Sequence, residues 1–119
     1  MKIKVADLYD LSLGLADLAD KELAIKVSYK IHRNQQIVAE ELQSSERVRQ
    51  KIINKYKEKE VEGGIKIKEG KLNAFHNEME ELMKQEIEVK LHEIKLDELK
   101  NISIKAKTLN LLKTILNAE

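Results

Sequence analysis

Residues 21–59 read KELAIKVSYKIHRNQQIVAEELQSSERVRQKIINKYKEK and contain neither glycine nor proline. Straight-chain and aliphatic side chains lose little freedom in a helix, so the run spells one long helix, or two joined without a conventional breaker. Asp20 is the expected N-cap, its carboxylate accepting the free amides of the first turn. Apolar residues fall at i, i+4 in three patches: Leu23, Val27 and Ile31; Val38 and Leu42; Val48, Ile52 and Tyr56. Continuing that stripe through His32-Arg33-Asn34-Gln35-Gln36 puts Asn34 or Gln35 on the buried side, where a polar group needs a partner and can set pairing register. A continuous helix over this run extends about 58 Å, whereas a compact globule of this length is only about 35 Å across. Either the helix bends near Gln43-Ser44-Ser45-Glu46, or it projects and pairs with another helix.

Upstream, Lys2-Ile3-Lys4-Val5 alternates as a short half-buried strand does. Leu8, Leu11, Leu15 and Leu18 then share one face of a helix over roughly residues 6–19. Gly14 lies inside that helix and weakens it by about 1 kcal/mol relative to alanine. Downstream, Gly63 and Gly64 are expected to cap the long helix. Ile65–Lys68 alternates as a strand with Glu69-Gly70 as its turn, and Leu72, Phe75, Met79, Leu82 and Met83 return to helical spacing over about 72–85. Ile87, Val89 and Leu91 alternate with charged residues as a strand. A helical turn is expected around Asp97–Lys100, and a last helix from Ser103 through Leu116. The fold class expected is therefore α+β and predominantly α-helical: a long helix or helical hairpin with a small two- or three-stranded sheet, in a single domain covering 1–119.

Composition bounds the chemistry. In 119 residues, 22 Lys and Arg face 21 Asp and Glu, and the near-zero net charge removes the simplest electrostatic case for a nucleic-acid or membrane partner. The absence of cysteine excludes disulfides, thiolate zinc sites and cysteine nucleophiles. Asp7 and Asp10 interrupt what would be a signal-peptide core, and no run of 18 apolar residues occurs, so a cytoplasmic protein without a membrane span is expected.

Gly70-Lys71 follows a strand and precedes a helix, yet Gly64 is out of register for a phosphate-binding loop and Leu72 stands where the metal-binding hydroxyl belongs. His32, His76 and His92 lie on three different elements; His76 and Glu80 lack a third ligand. Asp7 with Asp10, and Asp17 with Asp20, fit helix termini better than acid–base pairs. Ser12, Ser44, Ser45 and Ser103 have no glycine-flanked elbow, so no triad assembles. Neither an enzyme nor a cofactor is expected.

The strongest charge feature is Arg47, Arg49, Lys51, Lys55 and Lys57, five basic residues with no acid between them. It could contact phosphates with a salt-sensitive affinity. Glu40, Glu41 and Glu46 before it and Glu58, Glu60 and Glu62 after it favour a solvated face with local ion pairs instead. Lys105, Lys107 and Lys113 would extend a basic surface only if the last helix lay beside the long one.

Three blocks, MKIKVADLYDL, LNAFHNEMEELMKQEIEV and KTLNLLKTIL, resemble a family of small uncharacterised proteins carried by tailed phages and prophages of Gram-positive bacteria. The resemblance implies a phage-encoded accessory protein of the host bacterial cytoplasm and supplies no catalytic residues. The leading expectation is a non-enzymatic helical interaction module that self-associates, or binds another phage or host protein, through Val38, Leu42, Val48, Ile52 and Tyr56. The alternatives are a nucleic-acid-binding protein using the basic face 47–57, and a small inhibitor of a host protein.

Overall fold

The computed structural model describes residues 1–118. Strand β1 (Lys2–Lys4) leads without a break into helix α1 (Val5–Ala19), and a short loop leads to α2 (Ile25–Tyr56). Strands β2 (Lys57–Val61) and β3 (Gly64–Ile67) form a hairpin, followed by α3 (Leu72–Lys84), β4 (Glu86–Glu88), β5 (Ile94–Lys95), a 3₁₀ turn at Leu96–Leu99, α4 (Ala106–Leu111) and β6 (Leu116–Asn117). Among the described residues the strands pair only in twos: β1 with β4 and β2 with β3 antiparallel, β5 with β6 parallel. The architecture is α+β and mainly helical, with three separate small ladders.

Helix α2 is one unbroken helix of 32 residues, about 48 Å long. It does not bend at Gln43–Glu46, because its apolar stripe is covered by two helices in succession. Antiparallel α1 accompanies its first part: Ser12, Leu15 and Ala16 lie beside Gln35, Val38, Ala39 and Leu42, and Tyr9 reaches Ser45 and Glu46. From there α3 takes over, placing Glu78 and Leu82 against Val48, Ile52 and Tyr56. The two covering helices meet end to end, with the Val5 amide at the start of α1 donating to the Gln85 carbonyl just past α3 at 2.9 Å. The β1–β4 ladder clamps that junction through Lys2 with Glu88, Ile3 with Ile87 and Lys4 with Glu86. The length conflict is thus resolved by an elongated molecule, in which α2 stays straight and pairs with α1 and α3. The molecule measures 53 × 30 × 21 Å with a radius of gyration of 17.3 Å, against about 13.5 Å for a compact chain of this length.

Several local expectations are corrected. Asp20 ends α1, its amide bonding to the Leu18 carbonyl, while Ala24 precedes α2 and its carbonyl receives the Val27 and Ser28 amides. The long helix stops at Tyr56, because the alternating Lys57–Val61 segment gains a ladder partner in β3. Gly63 is therefore the hairpin turn residue, at φ +80°, and does not cap the helix. The last helix starts at Ala106 and ends at Leu111, leaving Leu116 free to pair in β6.

The core lies between α1, the first half of α2 and the C-terminal segment. Leu8, Leu11, Leu15 and Leu18 of α1 are all buried, as their spacing requires, and pack with Val27, Ile31, Val38, Val89, Ile94, Leu99, Leu112 and Ile115. The C-terminal segment is held by polar ties as well. Asn34, fully buried, donates through Nδ2 to the His92 carbonyl at 2.9 Å and accepts the His92 amide on Oδ1 at 2.8 Å. Thr108 donates to Asp17 at 2.8 Å. Lys30 Nζ donates to both Glu98 oxygens at 2.9 and 3.1 Å, and the Lys95 amide donates to the same carboxylate at 3.0 Å.

The Lys30 ammonium, then the Lys95 amide, hold the Glu98 carboxyl below its ordinary 4.5. A depressed folded-state value stabilises the protein above the unfolded pKa, and that stabilisation disappears as pH falls through the folded one. Glu98→Gln is expected to melt a few degrees below wild type at pH 7, with the gap closing below about pH 4. Thermal melts of both proteins across pH 3–7 check this; a gap independent of pH would remove the ionic account.

Candidate interaction face

Among the described residues, the α1–α2 hairpin is covered on one side only. The C-terminal segment occupies that side through Asn34, Lys30, Asp17 and the contact between Gly14 and Leu112. On the other side the two helices leave a groove. Its floor is Leu15, Val38 and the half-buried Leu42, and its walls are Ser12 and Ala16 from α1 with Gln35 and Ala39 from α2. The groove continues toward the loop past Ala19, Leu23, Ser28 and His32. The small side chains of Ser12, Ala16 and Ala39 beside the leucine stripe leave it open.

The centre of this face is uncharged, with Arg33 and Glu40 beside Gln36 and Ala39 at its α2 edge. Ser12, Leu13, Ala16 and Ala19 on α1 stand opposite Ser28, His32, Gln35, Ala39 and Leu42 on α2, with Ile25, Tyr29, Gln36 and Gln43 along the outer flank. In a chain with 36% Asp, Glu, Lys and Arg, such a stretch is where charge depletion marks the centre of a contact surface. Three of the most exposed large apolar residues border it: Ile25 at 90%, Tyr29 at 62% and Leu13 at 61% of full exposure.

The five residues expected to make the protein contact are split by the fold. Val38 is buried among the α1 leucines and Leu42 half-buried, and both line the groove from beneath. Ile52 and Tyr56 are buried against α3. There the Tyr56 ring meets Phe75 edge-on at 6.2 Å, and its hydroxyl donates to Glu78. Val48, 44% exposed, sits with Ile52 in a second groove beside Glu78, Glu81, Leu82 and Gln85. The bond from Tyr56, with the nearby Lys55 ammonium, holds the Glu78 carboxyl below its ordinary value, while the same carboxylate raises the Tyr56 phenol and the Lys55 ammonium. At the other end of α1, the Tyr9 hydroxyl donates to Glu46 at 2.7 Å and lies 3.0 Å from the buried Ser45 hydroxyl. Burial raises the Tyr9 phenol.

The basic residues do not form one face. Arg49 pairs with Glu46 at 3.4 Å, Lys55 with Glu78 at 3.2 Å, and Lys57 with Glu60 at 3.3 Å. Among the described residues, only Arg47 and Lys51 of the five have no carboxylate partner, and Lys57 lies on β2. The α4 helix packs on α1 at Gly14 and Asp17, so it does not extend the segment 47–57 with Lys105, Lys107 and Lys113. Among the described residues no group of three or more His, Asp or Glu is placed to hold a metal ion. No described helix is long and apolar enough to cross a membrane.

Sequence reasoning missed Ser12, Ala16 and Ala39. The available signal was the set of small residues at helical spacing beside each apolar stripe, but only the pairing of α1 with α2 turns two such flanks into one groove. Comparison with known proteins returns no match among family models, curated proteins or solved structures.

Proposed function

We propose that this protein is a non-enzymatic helical interaction module that receives a partner on the open face of the α1–α2 hairpin. The observation that carries the reading is the uncharged groove formed by Ser12, Leu15, Ala16, Gln35, Val38, Ala39 and Leu42. A two-helix layer with an apolar floor gains by covering its second side, as its first is already covered by the C-terminal segment. The resemblance of three sequence blocks to phage and prophage proteins supports an accessory role, in which a partner is bound and no reaction is carried out. Nucleic-acid binding has weaker support, because three of the five basic residues assigned to it are engaged by carboxylates.

Ala16 and Ala39 are exposed on the groove walls, so arginine at either position obstructs the groove without entering the core. Ala16→Arg and Ala39→Arg are expected to keep the wild-type helical content and melting temperature within about 2 °C. They should also lose at least tenfold in affinity for any protein the wild type retains from host lysate. Partners retained equally by both variants would overturn the reading.

A further inference from the structure

Building on that docking face, we propose that its occupant is a second copy of the chain, joined about a two-fold axis parallel to the helices so that α1 of each copy lies over α2 of the other. The centre of the face carries no charge, so two copies bring it together without burying an unpaired ion, whereas a charged partner surface would leave its own charges unmatched. The edges of the face are complementary in sign. Helix α1 has three aspartates and no basic residue, and Asp20 follows at its end. Helix α2 carries Arg33 and Arg47 exposed on its outer side with Glu40 between them, so this edge is net basic.

Two face-to-face arrangements have two-fold symmetry. With the axis perpendicular to the helices, α1 lies on α1 and the acidic edges meet. With the axis parallel, the acidic edge of each copy meets the basic edge of the other, and every helix has antiparallel neighbours as in four-helix bundles. The parallel axis also preserves height along the bundle. Asp20, at the loop end of the hairpin, comes level with Arg33; Asp10, next to the residue that touches Ser45 and Glu46, comes near Arg47.

The face extends over Ile25–Gln43 on α2, about 27 Å by two helix widths, or roughly 1,100 Å² in total over both copies, near the lower bound for a specific interface. The dimer should therefore dissociate in the micromolar range. Sedimentation equilibrium from ~1 to ~500 μM reads the mass directly. Wild type is expected to shift from monomer to dimer, and Ala39→Arg to remain monomeric with an unchanged circular dichroism spectrum. Arg33→Glu with Arg47→Glu should weaken dimerisation at least tenfold, and so should Asp10→Lys with Asp20→Lys. An equimolar mixture of these two double variants should recover a wild-type heterodimer.

A wild type monomeric at ~500 μM, or a dimer that survives both Ala16→Arg and Ala39→Arg, overturns the proposal. Dimerisation unchanged or tightened by Arg33→Glu with Arg47→Glu overturns the arrangement of α1 on α2. A monomeric wild type that still loses its lysate partners on Ala39→Arg refutes self-pairing alone and leaves the docking reading standing. Loss of neither mass nor partners refutes both.

Discussion

Asn34→Leu is expected to lower stability by about 2–4 kcal/mol, a large share of the 5–15 kcal/mol typical of a domain. Asn34 is fully buried, and its side-chain amide makes a reciprocal pair with one peptide unit: donor to the His92 carbonyl and acceptor of the His92 amide. Leucine keeps the volume and removes both bonds, leaving two backbone groups at the edge of the core to find water by distorting the 89–95 segment. That segment carries Val89 and Ile94 into the core and holds β5 against β6, so the damage spreads beyond one contact. Urea denaturation measures the loss.

Asn34→Asp gives the signed test. A carboxylate cannot donate to the His92 carbonyl and would be charged in a site without exposure, so its pKa in the folded state rises. A raised folded-state pKa contributes stability below the unfolded value, near 3.9, and loses it as pH rises. The deficit of Asn34→Asp relative to wild type should thus be largest at neutral pH and shrink toward pH 4. A deficit that is flat with pH would show that the carboxyl at this position is not held charged in a buried site.

The second large effect is expected at Gly14. A Cβ at this position would lie 2.8 Å from both Cγ and Cδ2 of Leu112 and 3.1 Å from Cβ of Leu111. Leu112 is completely buried and has no space to retreat into. Gly14→Ala gains about 1 kcal/mol of helix propensity and loses about 1–3 kcal/mol to overpacking, so it should be neutral to mildly destabilising. Gly14→Val adds two further methyl groups at the same point and should cost about 3 kcal/mol or more. Leu112→Ala alone should cost about 2–5 kcal/mol through the cavity it leaves. Since the valine would occupy part of that cavity, Gly14→Val with Leu112→Ala should cost at least 1 kcal/mol less than the sum of the single changes. Strict additivity would place the strain elsewhere.

These two residues also show how far the sequence can be read. A polar group on the buried side of the stripe was legible as Asn34 or Gln35, because helical periodicity fixes which way a side chain points; the structure buries Asn34. Its partner was not legible: the peptide at His92 is 58 residues away, and nothing in the residue type at His92 signals it. Gly14 was legible only as a weak point in a helix. The packing that makes it necessary comes from Leu111 and Leu112, nearly a hundred residues later. The continuity of α2 was equally out of reach, because it depends on α1 and α3 meeting end to end, a relay joined by one amide bond and a ladder between the two chain segments farthest apart in the covering layer.

The candidate site divides in the same way. Of the stripe Val38, Leu42, Val48, Ile52 and Tyr56, the structure buries Val38, Ile52 and Tyr56, half-buries Leu42 and leaves Val48 exposed. Which part of that stripe is consumed by the chain's own helices is a question of tertiary cover, which leaves open the flank with Ser12, Ala16 and Ala39.

The sequence by itself determined the order of the helices but not their ends, the leucine face of α1, the need for a buried polar partner at Asn34 or Gln35 and the predominantly helical α+β class, because these depend on side-chain spacing within one segment. The tertiary structure alone decided that α2 runs straight, that Gly14 is a close-contact site and that one face of the hairpin stays open. Those outcomes depend on which distant segment reaches a given surface first, and local periodicity carries no information about that competition.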